Sequence, residues 1–404
     1  MKEMNKFFAA NRDRLITKLN GGIVVMTAYA GMQRSNDMSF FFEQEANFWW
    51  LCGIEAADWW LIIDGTRHKT WLVAPSLSKS HEIFDGSLTP DAAKVISGVD
   101  DVLTPDDAAS LLRDLAKKHS VAYTLGDQPY AEHLDFSLNP AGRKMYDMLS
   151  RTFNAVQDCR KDLAKLRAIK QPEEVAHMKK AINLTIAAFN ETKASLSDKS
   201  YEYEVEAEFS YFFRKKGAQG HAYDPIVAAG GNACTLHYVA NNTRLKKREL
   251  LLIDIGARYE GYAADITRTY ALGEPTKRQQ EVHGVVREAH AEIISLLAPD
   301  FSVEQYQRDV DRIMADALMK LGLLSSRQDK TAFRKYFPHA VSHGLGVDVH
   351  ESLGAPRFFQ PGMILTVEPG IYIPEENIGV RIEDDILVTE KGHNNLSARL
   401  STDL

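Results

Sequence analysis

Asp254, Asp265, His343, Glu368 and Glu383 are potential metal ligands, and each lies in or beside an apolar segment expected to be buried. Moving isolated carboxylates out of water costs several kcal/mol each even after relaxation, so four clustered acids beside one imidazole need a compensating cation. The pattern reads as a metal site, one suited to two ions.

The first two acids share the segment LLIDIGARYEGYAADITRTY. An apolar run, 251–253, leads into Asp254; Gly256 and residues 259–261 look like a turn; Asp265 opens a β-branched return strand, 266–270. A hairpin centred between Tyr259 and Glu260 would set Asp254 directly opposite Asp265, with Cβ atoms roughly 4.5–5.5 Å apart. A shared cation turns that repulsion into coordination, and two ions about 3.5–4 Å apart suit such carboxylates. The competing explanation is a pair of acids on the solvent face of a surface hairpin.

The second pair follows the same logic. Glu368 ends the strand-like run MILTV and precedes Pro369-Gly370, a stop signal. In GVRIEDDILV, alternation with period two puts Arg381, Glu383 and Asp385 on one face and Val380, Ile382 and Ile386 on the other. Asp385 is expected to reach solvent. A solvated strand face competes for each acid singly, but recurrence across two hairpins favours an ion.

The segment FPHAVSHGLGVDVHE carries His339, His343 and His350, and Gly344 and Gly346 let its backbone bend closely around a site. His339 and His343 have helical i, i+4 spacing, but the glycines argue for a loop. Each histidine alone could be an ordinary core or surface residue; three so close together, of thirteen in the chain, point to a site. His237, in ACTLHYVANN, stands apart. Cys234 and His237 have C-x-x-H spacing, yet no second Cys/His pair completes a zinc site, so Cys234 is read as a packed thiol.

Taken in order, HYVANN, LLIDIGARYEGYAADITRTY, PHAVSHGLGVDVHE, TVEPGIY and GVRIEDDILVT resemble the pita-bread metallopeptidases, in the Xaa-Pro branch that contains aminopeptidase P and prolidase. The resemblance covers the chain from about residue 170 to its end. It implies that Asp254 chelates one metal, that Asp265 and Glu383 bridge both, and that His343 and Glu368 complete the second, with a water or hydroxide between the ions. It places His237, His339 and His350 among histidines contacting substrate or the tetrahedral intermediate. Arg381 and Tyr223 fall in the outer shell that orients a ligand carboxylate. The implied reaction is hydrolysis of the imide bond between an N-terminal residue and a following proline, with Glu368 carrying the proton to the leaving nitrogen. Coordination lowers the pKa of water from about 15.7 towards about 7, which supplies the nucleophile that amide hydrolysis needs at neutral pH. Manganese is the metal expected from the resemblance, with cobalt, zinc or iron as alternatives that an acid-rich site also suits.

These residues need rigid elements to position them. In KLRAIKQPEEVAHMKKAINLTIAAFNETKA, Pro172 suits the first helical position and Glu173-Glu174 the positive helix start, with Val175, Met178, Ile182, Ile186 and Phe189 as an apolar stripe for packing on a sheet. Upstream, GGIVVMTAY, DWWLIID and KTWLVAP read as strands and 106–119 as a helix, an alternation that suggests an α/β layer. All five tryptophans, at 49, 50, 59, 60 and 71, fall there and are read as core or interface aromatics. FFEQEANFWWLCGIEAADWWLIID resembles, more weakly, the amino-terminal domain of aminopeptidase P and its prolidase relatives. The expected architecture is α/β (α+β): an amino-terminal α/β domain over 1–165 and a pita-bread, creatinase/aminopeptidase-like catalytic domain over 166–404.

Composition bounds the setting. The 404 residues are 45% hydrophobic and 25% charged, an ordinary globular balance. A formal net charge of -7 provides no basic footprint for nucleic acid. No run approaches the roughly 20 apolar residues of a membrane helix. MKEMNKFFAANRDRL reads as a charged surface helix rather than a signal peptide. Three scattered cysteines fit a reduced, cytoplasmic home.

Three classes of function compete. A dimetal exopeptidase fits best, because proline's tertiary amide lacks an N–H and suits ordinary peptidases poorly. A metal-free amidinohydrolase-like relative and a non-enzymatic binding relative would both lose the ligand set, which is complete here. Within the first class, an aminopeptidase is preferred over a strict Xaa-Pro dipeptidase (prolidase) on the amino-terminal resemblance. The short spacing from Glu368 to Glu383 leaves no room for the insertion that brings a carboxylate-binding arginine in larger prolidases, although compact prolidases lack it too. Methionine aminopeptidases rank behind for want of so large an amino-terminal domain. The family's habit implies a homo-oligomer, dimer or tetramer, with the tryptophan-rich domain as a contact surface.

Overall fold

The structure, a computed structural model, describes residues 4–126 and 136–404. The chain forms two units, Met1–Leu166 and Arg167–Leu404.

In the first unit the β-branched and aromatic runs become the middle of a six-stranded sheet. Ile23–Thr27 pairs antiparallel with Trp60–Asp64, which pairs antiparallel with Lys69–Val73. Asp101–Leu103 extends one edge, and Val121–Thr124 followed by Ala155–Asp158 extends the other, all in parallel. Ile23, Val25, Ile62 and Val73 pack with Leu112 and Leu115 of the helix Pro105–Ala116 and with Met145 and Leu149 of Ala141–Ser150. Burying each such side chain stabilises by roughly 1.5–3 kcal/mol before ordering entropy is subtracted. Trp49, Trp50 and Trp59 are buried, and Trp60 and Trp71 pack half-buried against the same sheet.

The amino-terminal helix, Met4–Lys18, departs from the surface helix expected from its charges; residues 1–3 of that segment lie outside the described residues. It buries Phe7, Phe8, Leu15 and Ile16, and also Arg12, which donates to the carbonyls of Leu51, Ser97 and Gly98. A guanidinium supplied with carbonyl acceptors can be buried, and charge alone does not reveal the acceptors.

The second unit repeats one arrangement, two long helices against antiparallel strands. Pro172–Ser195 starts with Pro172 in its first turn, and Gln171 N donates to Glu174 Oε2 at 2.9 Å, which closes the helix entry. Met178, Ile182, Ile186 and Phe189 are buried and Val175 half-buried. With Phe209 and Phe213 of Glu202–Lys215, Ile182, Ile186 and Phe189 cover Val227, Leu251 and Ile253 of the sheet Ile226–Ala229, Leu250–Asp254 and Thr267–Ala271. The second pair is Lys277–Ser295 and Val303–Lys320; Thr276 and Gln279 cap the first of these reciprocally, at 2.8 and 3.2 Å. Their Val286, Ile293, Met314 and Leu318 join Leu365, Val380, Ile386 and Val388 in one core. The strands here are Ile364–Val367 paired with Asp384–Thr389, and Gly370–Ile373 paired with Ile378–Arg381. No helix among the described residues is long and apolar enough to cross a membrane.

Candidate functional site

The hairpin that carries the first two acids has a different register from the one expected. Its turn falls at Glu260 and Gly261, both at positive φ (49° and 81°), which a two-residue turn requires and which glycine adopts without strain. Tyr259 therefore faces Tyr262, Arg258 faces Ala263, and Asp254 faces Thr267 instead of Asp265. The sequence reading centred the turn one residue too early. Asp254 and Asp265 are thus diagonal neighbours, and their convergence has another cause. The strands pinch at Gly256, where a Cβ would overlap the Ala264 carbonyl oxygen. Tyr223 OH reaches Oδ1 of Asp254 and Oδ1 of Asp265, at 2.6 Å each.

The second pair comes from strand ends. Glu368 follows Ile364–Val367, and its N–H donates to Val341 O at 2.8 Å. Glu383 sits in a two-residue break between Ile378–Arg381 and Asp384–Thr389, where its N–H donates to Thr267 O at 3.1 Å and Oε2 accepts from Thr267 Oγ1 at 2.6 Å. That break ends the simple alternation read from the sequence. Asp385 does not reach solvent: it is fully buried and accepts from Asp265 N at 3.2 Å.

The glycine-bearing segment is a loop after the helix Lys330–Tyr336, as its glycines imply. His343 Nδ1 donates to Gly344 O at 3.0 Å, leaving Nε2 to face Glu368 Oε1 at 3.3 Å and Asp265 Oδ2 at 3.6 Å. A carbonyl bond on one ring nitrogen and carboxylates facing the other is the tautomer a metal-ligating imidazole needs. Ligand atoms of Asp265, His343 and Glu383 lie within 4.8 Å of one another. Glu368 adjoins them through His343. Asp254 adjoins them through Tyr223, and its Oδ2 also pairs with Arg381 Nη2 at 2.5 Å.

Electrostatics set this cluster apart. Burial and then Asp254 push the Asp265 carboxyl well above its usual range; burial and Asp265 do the same to Glu383, and burial and Glu383 to Glu368. Like charges out of water raise each other in this way unless a cation intervenes. Burial and His350 push His343 down to about 4, which keeps the imidazole neutral and its lone pair open. An oxygen-rich donor set with one imidazole fits divalent cations.

A cavity of about 560 Å³ opens over the acids, its walls carrying His237, His339, His350 and Arg381 with apolar Leu236 and Val239. The His350 ring stands 4.4 Å from that of His343 and 6.4 Å from that of His237. His339 is bound at both nitrogens, Nδ1 donating to Ala340 O and Nε2 accepting from Tyr372 OH, both at 2.8 Å. Tyr372 OH in turn accepts from Arg381 Nη1 at 2.9 Å. Burial and Arg381 push His339 down to about 4. Thr267 and Tyr372 were absent from the sequence reading; Thr267 lies two residues from Asp265, and Tyr372 ends the TVEPGIY motif. Cys234, half-buried, packs with Sγ 3.5 Å from Ile378 O.

Residues 176–390 match the model of metallopeptidase family M24, and residues 8–123 that of the aminopeptidase P N-terminal domain. The chain is 33% identical to the Xaa-Pro aminopeptidase of Escherichia coli (strain K12), over 97% of this chain and 94% of that protein. Its fold is similar to that of E. coli aminopeptidase P with the inhibitor Pro-Leu, at TM-score 0.85 and 30% identity over 99% of this chain and 96% of that one. The zinc-substituted E. coli enzyme in complex with product also gives a TM-score of 0.85, at 31% identity and the same coverage of both chains.

Proposed function

The chain belongs to metallopeptidase family M24, with the pita-bread catalytic fold and the amino-terminal domain of aminopeptidase P, and from this premise we propose that it is a metal-dependent Xaa-Pro aminopeptidase. One observation carries the reading: ligand atoms of Asp265, His343 and Glu383 gather within 4.8 Å beneath a cavity walled by His237 and His350.

Asp254, Asp265, His343, Glu368 and Glu383 would hold two divalent ions, manganese by our reading, whose chemistry when bound is to make water nucleophilic at neutral pH. Tyr223 and Arg381 orient the Asp254 carboxylate from its two oxygens. Glu368, pushed up by burial and by Glu383, is suited to carry a proton to the leaving proline nitrogen. His350 and His237 donate to the carbonyl oxygen as it gains charge, an effect on the order of 2.7–4 kcal/mol per well-placed donor. His339, held by Tyr372 and Ala340, lines the same wall and contributes its ring face to the proline pocket.

We assign residues 1–165 to the amino-terminal domain and 166–404 to the catalytic domain, supported by the two units and by the extents of the family matches. A homo-oligomer is supported by exposed Phe41, Ile83 and Phe84 in the first unit, and a reducing cytoplasm by three free cysteines.

Rates on Xaa-Pro-Xaa and Xaa-Pro peptides, measured alongside metal content, test the activity. Faster turnover of the longer peptide is expected. Strict preference for the dipeptide would make the enzyme a prolidase, and full activity after metal stripping would remove the metal-dependent mechanism.

A further inference from the structure

His343 and His350 lie at opposite ends of one short loop whose two halves are held differently. The first half follows the strand Ile364–Val367, with Thr366 N donating to His343 O at 2.9 Å and Leu345 N to Ile364 O at 3.1 Å. The return half ends at Glu351, whose N–H donates to Gly344 O at 2.8 Å. The Glu351 carboxylate then runs into a buried charge cluster outside the acidic centre. It accepts from Lys170 Nζ at 2.5 Å and from Arg167 Nη2, and that same arginine nitrogen reaches Asp348 Oδ2 at 2.9 Å. The side chains of Arg167, Lys170 and Glu351 are at most 4% exposed.

The contacts are directional. Lys170 Nζ also donates to Arg167 O at 2.7 Å, which fixes the chain between the two cations. The carboxylate lies over Gly346, where a Cβ would overlap it, so the glycine is what lets the loop close on its anchor. Gly346 O accepts from Ala263 N at 2.9 Å, two residues before Asp265, which ties the loop to the hairpin of acids. Burial alone would raise the Glu351 carboxyl, but Arg167 and Lys170 hold it below the usual range, so the carboxylate keeps its charge. An apolar trio of similar volume would fill this space with less desolvation, whereas charge-assisted bonds from two sides fix the direction of the side chain as well as its burial.

We propose that Arg167, Lys170 and Glu351 are positioning residues for His350: by clamping the chain immediately after it, they set the ring that stands 4.4 Å from His343 and faces the substrate cavity. The inference rests on the catalytic reading of His350 given above. Arg167 and Lys170 lie more than 170 positions before their partner, in a segment with no ligand of its own.

The test compares the full chain with Glu351→Gln and Lys170→Met. In both, kcat on an Xaa-Pro-Xaa peptide is expected to fall about 10–100-fold, the usual cost of losing an outer support, while KM and bound metal stay unchanged. Lys170→Arg, which keeps the charge, is expected to retain more of the rate than Lys170→Met. Histidine-labelled protein loaded with zinc, which is diamagnetic, supplies a readout independent of turnover: the nuclear Overhauser cross-peak between the His343 and His350 rings should weaken in both variants. Lys170→Met leaves Glu351 paired with Arg167 and is the variant to read if Glu351→Gln does not fold. A folded Lys170→Met protein with native kcat and a native cross-peak overturns the proposal, even if its melting temperature drops. A weakened cross-peak in a chain whose native form hydrolyses no proline peptide leaves the positioning role intact and removes the proposed function instead.

Discussion

Glu351 and Glu383 are both buried carboxylates of the unit Arg167–Leu404, at 6% and 2% exposure, yet their surroundings are opposite. Glu351 meets Arg167 and Lys170. Glu383 meets Thr267 and the acid Asp265. Glu202 illustrates a third arrangement, fully buried and satisfied by donors from Ala229 N, Asn232, Tyr238 and Thr243 N at 2.8–3.0 Å. The chain can therefore neutralise or solvate a buried acid with its own groups, and does so twice. Around Asp265, Glu368 and Glu383 its own groups, Tyr223, Thr267 and Arg381, do not suffice and all three carboxyls stay raised, a difference that marks the site more sharply than the acids themselves.

The strongest way to break the contrast is to remove one of the clustered acids, and next to it a histidine of the cavity wall. Glu383→Ala should lower hydrolysis by more than the ~10²–10³-fold that loss of a single oxyanion donor costs, and should reduce bound metal on elemental analysis. Native metal content and rate would place the cation elsewhere. His350→Ala should lower kcat by ~10²–10³-fold with metal retained, and loss of metal would reassign it as a ligand.

The two regions should also respond to pH with opposite sign. Glu351 has a lowered folded pKa, so its contribution to stability is present above the unfolded value of about 4.3 and is lost as pH falls through the folded value. Glu383 has a raised folded pKa, so in metal-stripped protein its favourable contribution is full below about 4.3 and is lost as pH rises through the folded value. Glu383→Gln is accordingly expected to raise the melting temperature of stripped protein at neutral pH, with the gain vanishing in acid, and Glu351→Gln to lower it. The same sign for both substitutions would dissolve the comparison. The smallest effect belongs to the surface: Lys320→Ala, which breaks an exposed pair with Glu288, should change stability by about 0–1 kcal/mol in denaturant unfolding.

Much of this contrast was legible in the sequence where one residue type in an apolar run carries the signal. Asp254, Asp265, Glu368 and Glu383 stood out because acids are costly in such runs, and the strands 23–27, 60–64 and 69–73 because their residues favour them. Three things were not legible. The turn at Glu260-Gly261 depended on which residues take positive φ, and a shift of one position moved Asp254 from Asp265 to Thr267. Asp385 looked solvated because its burial depends on Asp265 N arriving from a segment distant in sequence. Arg12 read as part of a charged surface helix, and Arg167 and Lys170 carried no signal, because their acceptors lie far along the chain.

Gly256 illustrates what such geometry demands. Any side chain there meets the Ala264 carbonyl and crowds the Tyr223 ring. A saturation library scored for hydrolysis should therefore return an empty column at position 256, although the residue carries no functional group, and a design that transplants this centre into another scaffold must copy that bare stretch of backbone along with the ligands.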